Sequence, residues 1–140
     1  MLQASIISFL NKHHLLTLAT SCDNIPYCAS CFYAFKEDEA LLIIASETKT
    51  RHIQEALKNS TIAGTIALET NIIGKIQGAQ FIGTFRSIKE DEKKIYFKRF
   101  PYAIAMKPLL WAIEIEYLKF TDNTLGFGKK LEFHRSNFLP

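Results

Sequence analysis

Residues 46–52 concentrate side chains that bind anions. They read Ser-Glu-Thr-Lys-Thr-Arg-His and follow an apolar run that ends at Ala45. A helical pattern begins at Ile53, so a strand, a polar turn and a helix start are predicted here. A helix start offers unpaired backbone N–H groups and the positive end of the helix dipole, which together with hydroxyls and cations favour a phosphate or carboxylate ligand. A solvated helix start with a Ser or Thr cap is the alternative interpretation.

The composition indicates one compact domain over residues 1–140. With 48% hydrophobic residues, the chain of 140 residues can bury a sizeable core but is too short for two domains of ordinary size. The net charge of +3 does not suggest a nucleic-acid binder. No apolar run is long enough to span a bilayer, and no basic segment precedes the first apolar residues. Three cysteines fit a reducing compartment. We therefore expect a cytoplasmic protein with free thiols that binds neither nucleic acid nor membranes.

Hydrophobic periodicity and turn signals predict six or seven strands and three longer helices. The predicted strands are residues 15–21, 27–35, 40–45, 61–69, 76–88, 110–121 and 131–134. The predicted helices are residues 2–10, 53–59 and 90–100. The first three strands are joined by tight turns, which only antiparallel neighbours allow. The predicted fold is therefore an α+β, antiparallel barrel of six to seven strands with a few short helices.

The two longest strands carry more specific expectations. The small residues Gly78, Ala79 and Gly83 in the strand over residues 76–88 indicate close approach of another backbone, a ligand or a barrel bend. In the strand over residues 110–121, alternation places Tyr117 on the same face as Trp111. The apolar residues from Leu118 onward switch faces, which predicts either a β-bulge or a newly buried second face past Tyr117.

Several segments resemble the pyridoxamine 5′-phosphate oxidase-like superfamily of FMN-binding split barrels. They are residues 49–52, 63–65, 76–81, 99–101 and 119–130. The last segment is the most specific, and it is similar to a small, uncharacterised bacterial branch of that superfamily. The resemblance implies a split barrel that forms a homodimer, with FMN bound in clefts at the subunit interface.

The same resemblance implies a set of cofactor-binding residues. In the superfamily the phosphate is held at the start of the helix after the third strand, and the flavin ring lies along the second strand. His52 stands where the family commonly has lysine. Residues 132–140 show no counterpart of the C-terminal arginine motif of true pyridoxamine phosphate oxidases, so oxidation of vitamin B6 is not expected. The implied residues are Ser46, Thr48, Lys49, Thr50, Arg51 and His52 for the phosphate, and Ala29, Ser30, Cys31 and Gln80 for the ring.

The resemblance implies two functional classes. The first is an FMN-dependent oxidoreductase of unknown substrate, in which the cofactor carries the chemistry and the protein positions it. No side chain stands out as a general acid or base, so no catalytic residue is assigned. The alternative is a non-catalytic protein that binds, stores or senses a small ligand such as flavin or haem.

Three further motifs can be interpreted either as purely structural or as functional. Cys28 and Cys31 have the spacing of a redox or zinc motif, but on a strand they face opposite ways, and we predict no metal site. His13 and His14 could ligate a metal or haem, or could form a polar helix end. The glycine-rich, basic residues 126–130 form either a flexible barrel turn or a segment that closes over the partner subunit's ligand.

Overall fold

A computed structural model of the chain describes residues 2–136, so Met1 and residues 137–140 of the predicted domain lie outside the described part. Three α-helices and seven strands are present in it. The helices are α1 (Ala4–Lys12), α2 (Arg51–Lys58) and α3 (Glu90–Arg99). The strands are β1 (Leu15–Cys22), β2 (Ile25–Lys36), β3 (Leu41–Ala45), β4 (Thr61–Ala67), β5 (Gln77–Ser87), β6 (Leu110–Asp122) and β7 (Lys130–His134).

The seven strands form one antiparallel sheet in the order β3-β2-β1-β4-β5-β6-β7. β3 also pairs with β6, which closes the first six strands into a barrel, and β7 extends the sheet beside β6. The predicted α+β class and antiparallel barrel are therefore confirmed. Within residues 2–136, no helix is long and apolar enough to cross a membrane.

β3 is apolar throughout because both of its faces are buried. Leu42 and Ile44 pack in the main core of the barrel. On the opposite face, Ile43 packs against Tyr96 of α3 in a second cluster. The strand that precedes the predicted anion-binding residues is thus fixed from both sides.

The main core consists of alternate residues of the strands together with one face of α1. Ile6, Phe9 and Leu10 of α1 are buried in it, as the helical spacing predicts. The Phe9 ring lies 4.9 Å from the Phe120 ring, and the Tyr33 hydroxyl donates to the Leu10 carbonyl at 2.7 Å. These contacts tie the first helix to the barrel.

The predicted β-bulge in β6 exists, but it lies one residue earlier than expected. Ile82 pairs with Tyr117, whereas Gly83 pairs with Ile115, so Glu116 is the extra residue. The assignment of Tyr117 to the same face as Trp111 was therefore wrong. The bulge turns Tyr117 outward beside Ile82 and returns Leu118 to the core, because one inserted residue reverses the alternation of a strand.

The turn between β1 and β2 is shorter than predicted. Only Asp23 and Asn24 separate the two strands, with φ values of 52° and 63°. Aspartate and asparagine tolerate the left-handed region, and two such residues make a turn that matches the twist of a hairpin. Both strands therefore extend into the predicted turn, and Pro26 pairs with Ser21.

The start of α3 is held by a buried ion pair. Glu92 is 1% exposed, and its two carboxylate oxygens accept from the Arg86 guanidinium at 3.0 and 2.7 Å. It also accepts from the backbone N–H of Lys89 at 2.8 Å, as in a capping box. The hydrogen bonds from Arg86, followed by that backbone N–H, lower the pKa of Glu92 against the opposing effect of burial.

We predict that Glu92→Gln destabilises the protein by about 2 kcal/mol at pH 7, because charge-assisted hydrogen bonds inside the protein become weaker neutral ones. Since the pKa of Glu92 is lowered in the folded state, its contribution is complete above the unfolded value of about 4.3 and falls as pH drops below it. Urea unfolding at pH 7 and pH 3 should show the difference between wild type and variant shrinking in acid. Glu90→Gln, at an exposed position in the same first turn, is the control and should change stability by less than about 0.5 kcal/mol. A similar loss in both variants would contradict the role of Glu92.

Candidate functional site

A cluster of polar side chains lies between the end of β3 and the start of α2. Ser46 Oγ is 2.7 Å from His52 Nε2 and 3.5 Å from Thr50 Oγ1, and Thr50 Oγ1 is 3.4 Å from the same imidazole nitrogen. The fold thus brings together three of the six predicted phosphate ligands. We call this group the hydroxyl–imidazole cluster.

Thr50 occupies the N-cap position of α2 but does not act as a capping side chain. Its hydroxyl donates backwards to the Glu47 carbonyl at 2.8 Å, and no side-chain hydrogen bond caps the helix start. The alternative interpretation of this segment as a Ser or Thr cap is therefore not what the structure shows. The N–H groups of the first turn of α2 keep their capacity to donate.

The two loop cations predicted to bind the phosphate are engaged elsewhere. Arg51 Nε donates to Glu55 Oε2 at 2.8 Å, and its guanidinium lies 4.1 Å above the Tyr27 ring. Lys49 forms an exposed ion pair with Glu47 at 3.4 Å. The cluster therefore consists of hydroxyls and an imidazole, without the two cations that the sequence suggests.

Burial lowers the pKa of His52, so its imidazole is neutral at pH 7. A neutral imidazole has one donor and one acceptor nitrogen, and Nε2 of His52 forms a hydrogen bond with the Ser46 hydroxyl. Trp111 of β6 donates its indole N–H to the Ser46 carbonyl at 2.9 Å. This bond fixes the backbone that carries the cluster.

An aromatic groove of 470 Å³ lies beside the end of β3. Its wall includes Ser30, Cys31 and Phe32 from β2 and Tyr96 and Phe100 from α3 and its C-terminal end. The Phe100 ring lies 4.9 Å from Tyr96 and 5.8 Å from Phe32. Two of the predicted ring-contacting residues, Ser30 and Cys31, therefore line the groove, whereas Ala29 is not part of its wall.

The cysteines behave as the strand geometry predicts. Cys31 is 5% exposed and burial raises its pKa to about 11, so it is a protonated thiol at neutral pH. Cys28 is exposed on the outer face of the barrel. In the part of the chain that the structure describes, no three His, Cys, Asp or Glu side chains come together as a metal site.

Gln80 lies far from the groove within one protomer. The outward-facing residues Ser30, Thr17, Thr65 and Gln80 pair in that order across four neighbouring strands. Three strand spacings place Gln80 roughly 14 Å from Ser30. It lines a separate concavity of 540 Å³ on the outer wall, together with Tyr117 and others.

A third hollow, of 440 Å³, lies between the β3–α2 loop and the segment that leads into β6. Glu47, Thr48 and Lys49 form one side, and residues 106–109 form the other. The backbone N–H of Ser46 donates to the Leu109 carbonyl at 3.0 Å, which holds the two segments together. Thr48, a predicted phosphate ligand, is therefore placed in this hollow rather than in the hydroxyl–imidazole cluster.

Solved structures of other proteins share this barrel architecture. No protein-family model matches the chain. An FAD-binding protein from Mesorhizobium loti superposes with a TM-score of 0.68 at 14% identity, over 84% of this chain and 92% of that one. HutZ, the haem storage protein from Vibrio cholerae, superposes with a TM-score of 0.65 at 15% identity, over 82% and 90%. At such identities the likeness shows the split-barrel fold alone.

The sequence relatives are more informative about descent. The UPF0306 protein of Serratia proteamaculans is 40% identical over 138 residues, which cover 96% of this chain and 96% of that protein. A UPF0306 protein of Photorhabdus laumondii is 39% identical over 131 residues, covering 91% and 92%. With such identity over almost the full length of both chains, the chain belongs to the UPF0306 family.

Proposed function

We propose that the protein binds FMN, with the phosphate at the hydroxyl–imidazole cluster. The observation that carries this proposal is the convergence of Ser46, Thr50 and His52 within 3.5 Å at the start of α2. Hydroxyl and imidazole groups donate to phosphate oxygens, and the first turn of α2 adds backbone donors and the positive end of the dipole. Among residues 2–136, no carboxylate group is hydrogen-bonded to these three side chains.

The aromatic groove is the proposed binding site of the flavin ring. Phe32, Tyr96 and Phe100 offer apolar ring surface, and Ala45, which precedes Ser46, also lines the groove. A ligand with a planar ring and a phosphate on a flexible chain matches an aromatic groove beside a polar cluster. Nucleotides and vitamin phosphates in general combine these two parts, and the resemblance to FMN-binding split barrels is what favours FMN among them.

A homodimer is part of the proposal. Gln80 resembles a cofactor-contacting position but lies roughly 14 Å from Ser30 in the same protomer, too far to contact one ring together. A second copy would bring its own Gln80 to the groove. The outer wall around Ala19, Ala63 and Ile82 is an apolar concavity of the kind that subunit interfaces use.

The proposed reaction class is oxidoreduction carried by the cofactor. FMN, when bound, supplies hydride and electron transfer. Of the groove residues, Cys31 and Tyr96 do not act as bases at neutral pH, because burial raises the pKa of both and keeps them protonated. The chain's own residues would position the ring, shield one of its faces and hold the phosphate.

Native mass spectrometry of freshly purified protein, followed by titration with FMN, tests the proposal. The expected result is a dimer that carries up to one FMN per protomer and that changes the visible absorption band of added FMN. A monomer that leaves the flavin spectrum unchanged at all concentrations would contradict it.

Haem is the second candidate ligand, and His14 is the observation that favours it. Its imidazole stacks on Phe32 of the groove wall, with ring centroids 5.8 Å apart and planes at 15°. HutZ, which shares the fold, is a haem storage protein. An exposed histidine beside an aromatic groove can ligate haem iron.

If haem is the ligand, His14→Ala should weaken haemin binding about tenfold or more, because the iron loses its protein ligand. The shift of the haem Soret band on titration measures the affinity. His134→Ala, which removes another partly exposed histidine on β7, is the control and should bind haemin like wild type. Equal haemin affinity in all three proteins would exclude His14 as the ligand.

A further inference from the structure

We propose that Lys107 provides the free positive charge of the phosphate site and makes the protein prefer phosphorylated over unphosphorylated ligands. The inference rests on the proposed function, since it adds a ligand-binding residue in the hollow beside the hydroxyl–imidazole cluster. Neither the sequence pattern nor the resemblance indicates Lys107, which lies in the loop that leads into β6.

The first argument is the charge balance at the β3–α2 loop. Arg51 is paired with Glu55, and Lys49 with Glu47. Lys107 lines the hollow with Thr48 and Lys49, and among residues 2–136 no carboxylate pairs with its ammonium group. A phosphate bound at the hydroxyl–imidazole cluster, next to this hollow, would have one nearby loop cation without a carboxylate partner, and that cation is Lys107.

The second argument is the position of the hollow. Met106 and Pro108, the neighbours of Lys107, line both this hollow and the aromatic groove. The bond between Ser46 N–H and the Leu109 carbonyl fixes this segment against the loop. A ligand whose ring lies in the groove can therefore reach Lys107 with a phosphate across one short ridge.

The third argument is the backbone at Lys107. Its φ of 48° and ψ of 55° lie in the left-handed region, where glycine and asparagine are favoured and lysine is disfavoured. The side chain is exposed, so packing does not explain a lysine at this position either. A ligand-binding role for the ammonium group would explain the lysine at this position.

The test uses Lys107→Asn, which removes the charge and suits the left-handed backbone, so the variant should be at least as heat-stable as wild type. Lys107→Arg keeps the charge. Lys75→Asn, at an exposed lysine in the β4–β5 connection, is the control for the overall change in charge. Inorganic phosphate, FMN and riboflavin are titrated into each protein, with amide NMR shifts of Thr48 and residue 107 as the readout for phosphate.

The expected result is that Lys107→Asn loses about tenfold or more in affinity for phosphate and FMN and keeps its affinity for riboflavin, which lacks the phosphate. Lys107→Arg and Lys75→Asn should remain within about threefold of wild type. Unchanged phosphate affinity in Lys107→Asn, or no phosphate binding by wild type, would overturn the inference. If no flavin binds but phosphate binding depends on Lys107, the FMN proposal fails and this inference stands. If Lys107→Asn binds FMN as tightly as wild type, the Lys107 inference fails and the FMN proposal stands.

Discussion

Gly83→Ala is expected to destabilise the protein by about 3 kcal/mol or more. A Cβ at this position would lie 2.7 Å from Ile113 Cγ2 and 2.8 Å from the Glu114 carbonyl oxygen. Both atoms belong to β6, which pairs with β5 beside the bulge and cannot shift without breaking ladder hydrogen bonds. The close approach predicted for the small residues of β5 is thus real at Gly83.

Gly78→Ala in the same strand is the control. Its Cβ would have no neighbour closer than the Ile66 carbonyl oxygen at 3.6 Å, an ordinary contact. We expect a change within about 0.5 kcal/mol, because the lost flexibility of the unfolded chain offsets any crowding. Urea unfolding followed by circular dichroism gives both values. Similar stabilities of the two variants would show that β5 and β6 do not pack as described.

The double substitution Ser46→Ala with Thr50→Ala is expected to weaken FMN binding about 100-fold. Each hydroxyl that donates to a phosphate contributes a charge-assisted hydrogen bond of about 1.5 kcal/mol at the lower end of the usual range, so two of them contribute about 3 kcal/mol, which corresponds to at least about 100-fold. The loss should be confined to the phosphate. Riboflavin affinity should therefore change by less than about threefold, because the aromatic groove is intact.

Quenching of flavin fluorescence on titration measures both affinities. Ser60→Ala with Thr61→Ala is the control: it removes the same two hydroxyl types at exposed positions where β4 begins. This control should bind FMN like wild type. If the double variant retains full FMN affinity, or loses FMN and riboflavin affinity equally, Ser46 and Thr50 do not bind the phosphate and the proposal is contradicted.

The strand pattern of this chain could be derived from the sequence because its periodicity is strong. The uninterrupted apolar run of β3 predicts burial on both faces, and α3 covers its outer face as required. Tight turns between the first three strands required antiparallel pairing, which closes into the barrel. Local pattern and global fold agree at these points.

The site was less predictable because side-chain pairing depends on tertiary contacts. Arg51 had the residue type of a phosphate ligand, but Glu55 one turn later and Tyr27 on β2 hold it. Gln80 was separated from the groove by strand order, which no local motif reveals. Lys107 has no motif around it, and only the fold brings its segment beside Thr48.

The preference for FMN over riboflavin in the wild-type protein tests the central claim most directly. The two ligands share the ring and differ in the phosphate, so the ratio of their dissociation constants isolates the contribution of the site at the start of α2. The proposed site predicts that FMN binds at least about 100-fold more tightly than riboflavin, which corresponds to about 2.7 kcal/mol. Equal affinities, or binding of neither flavin, would contradict it.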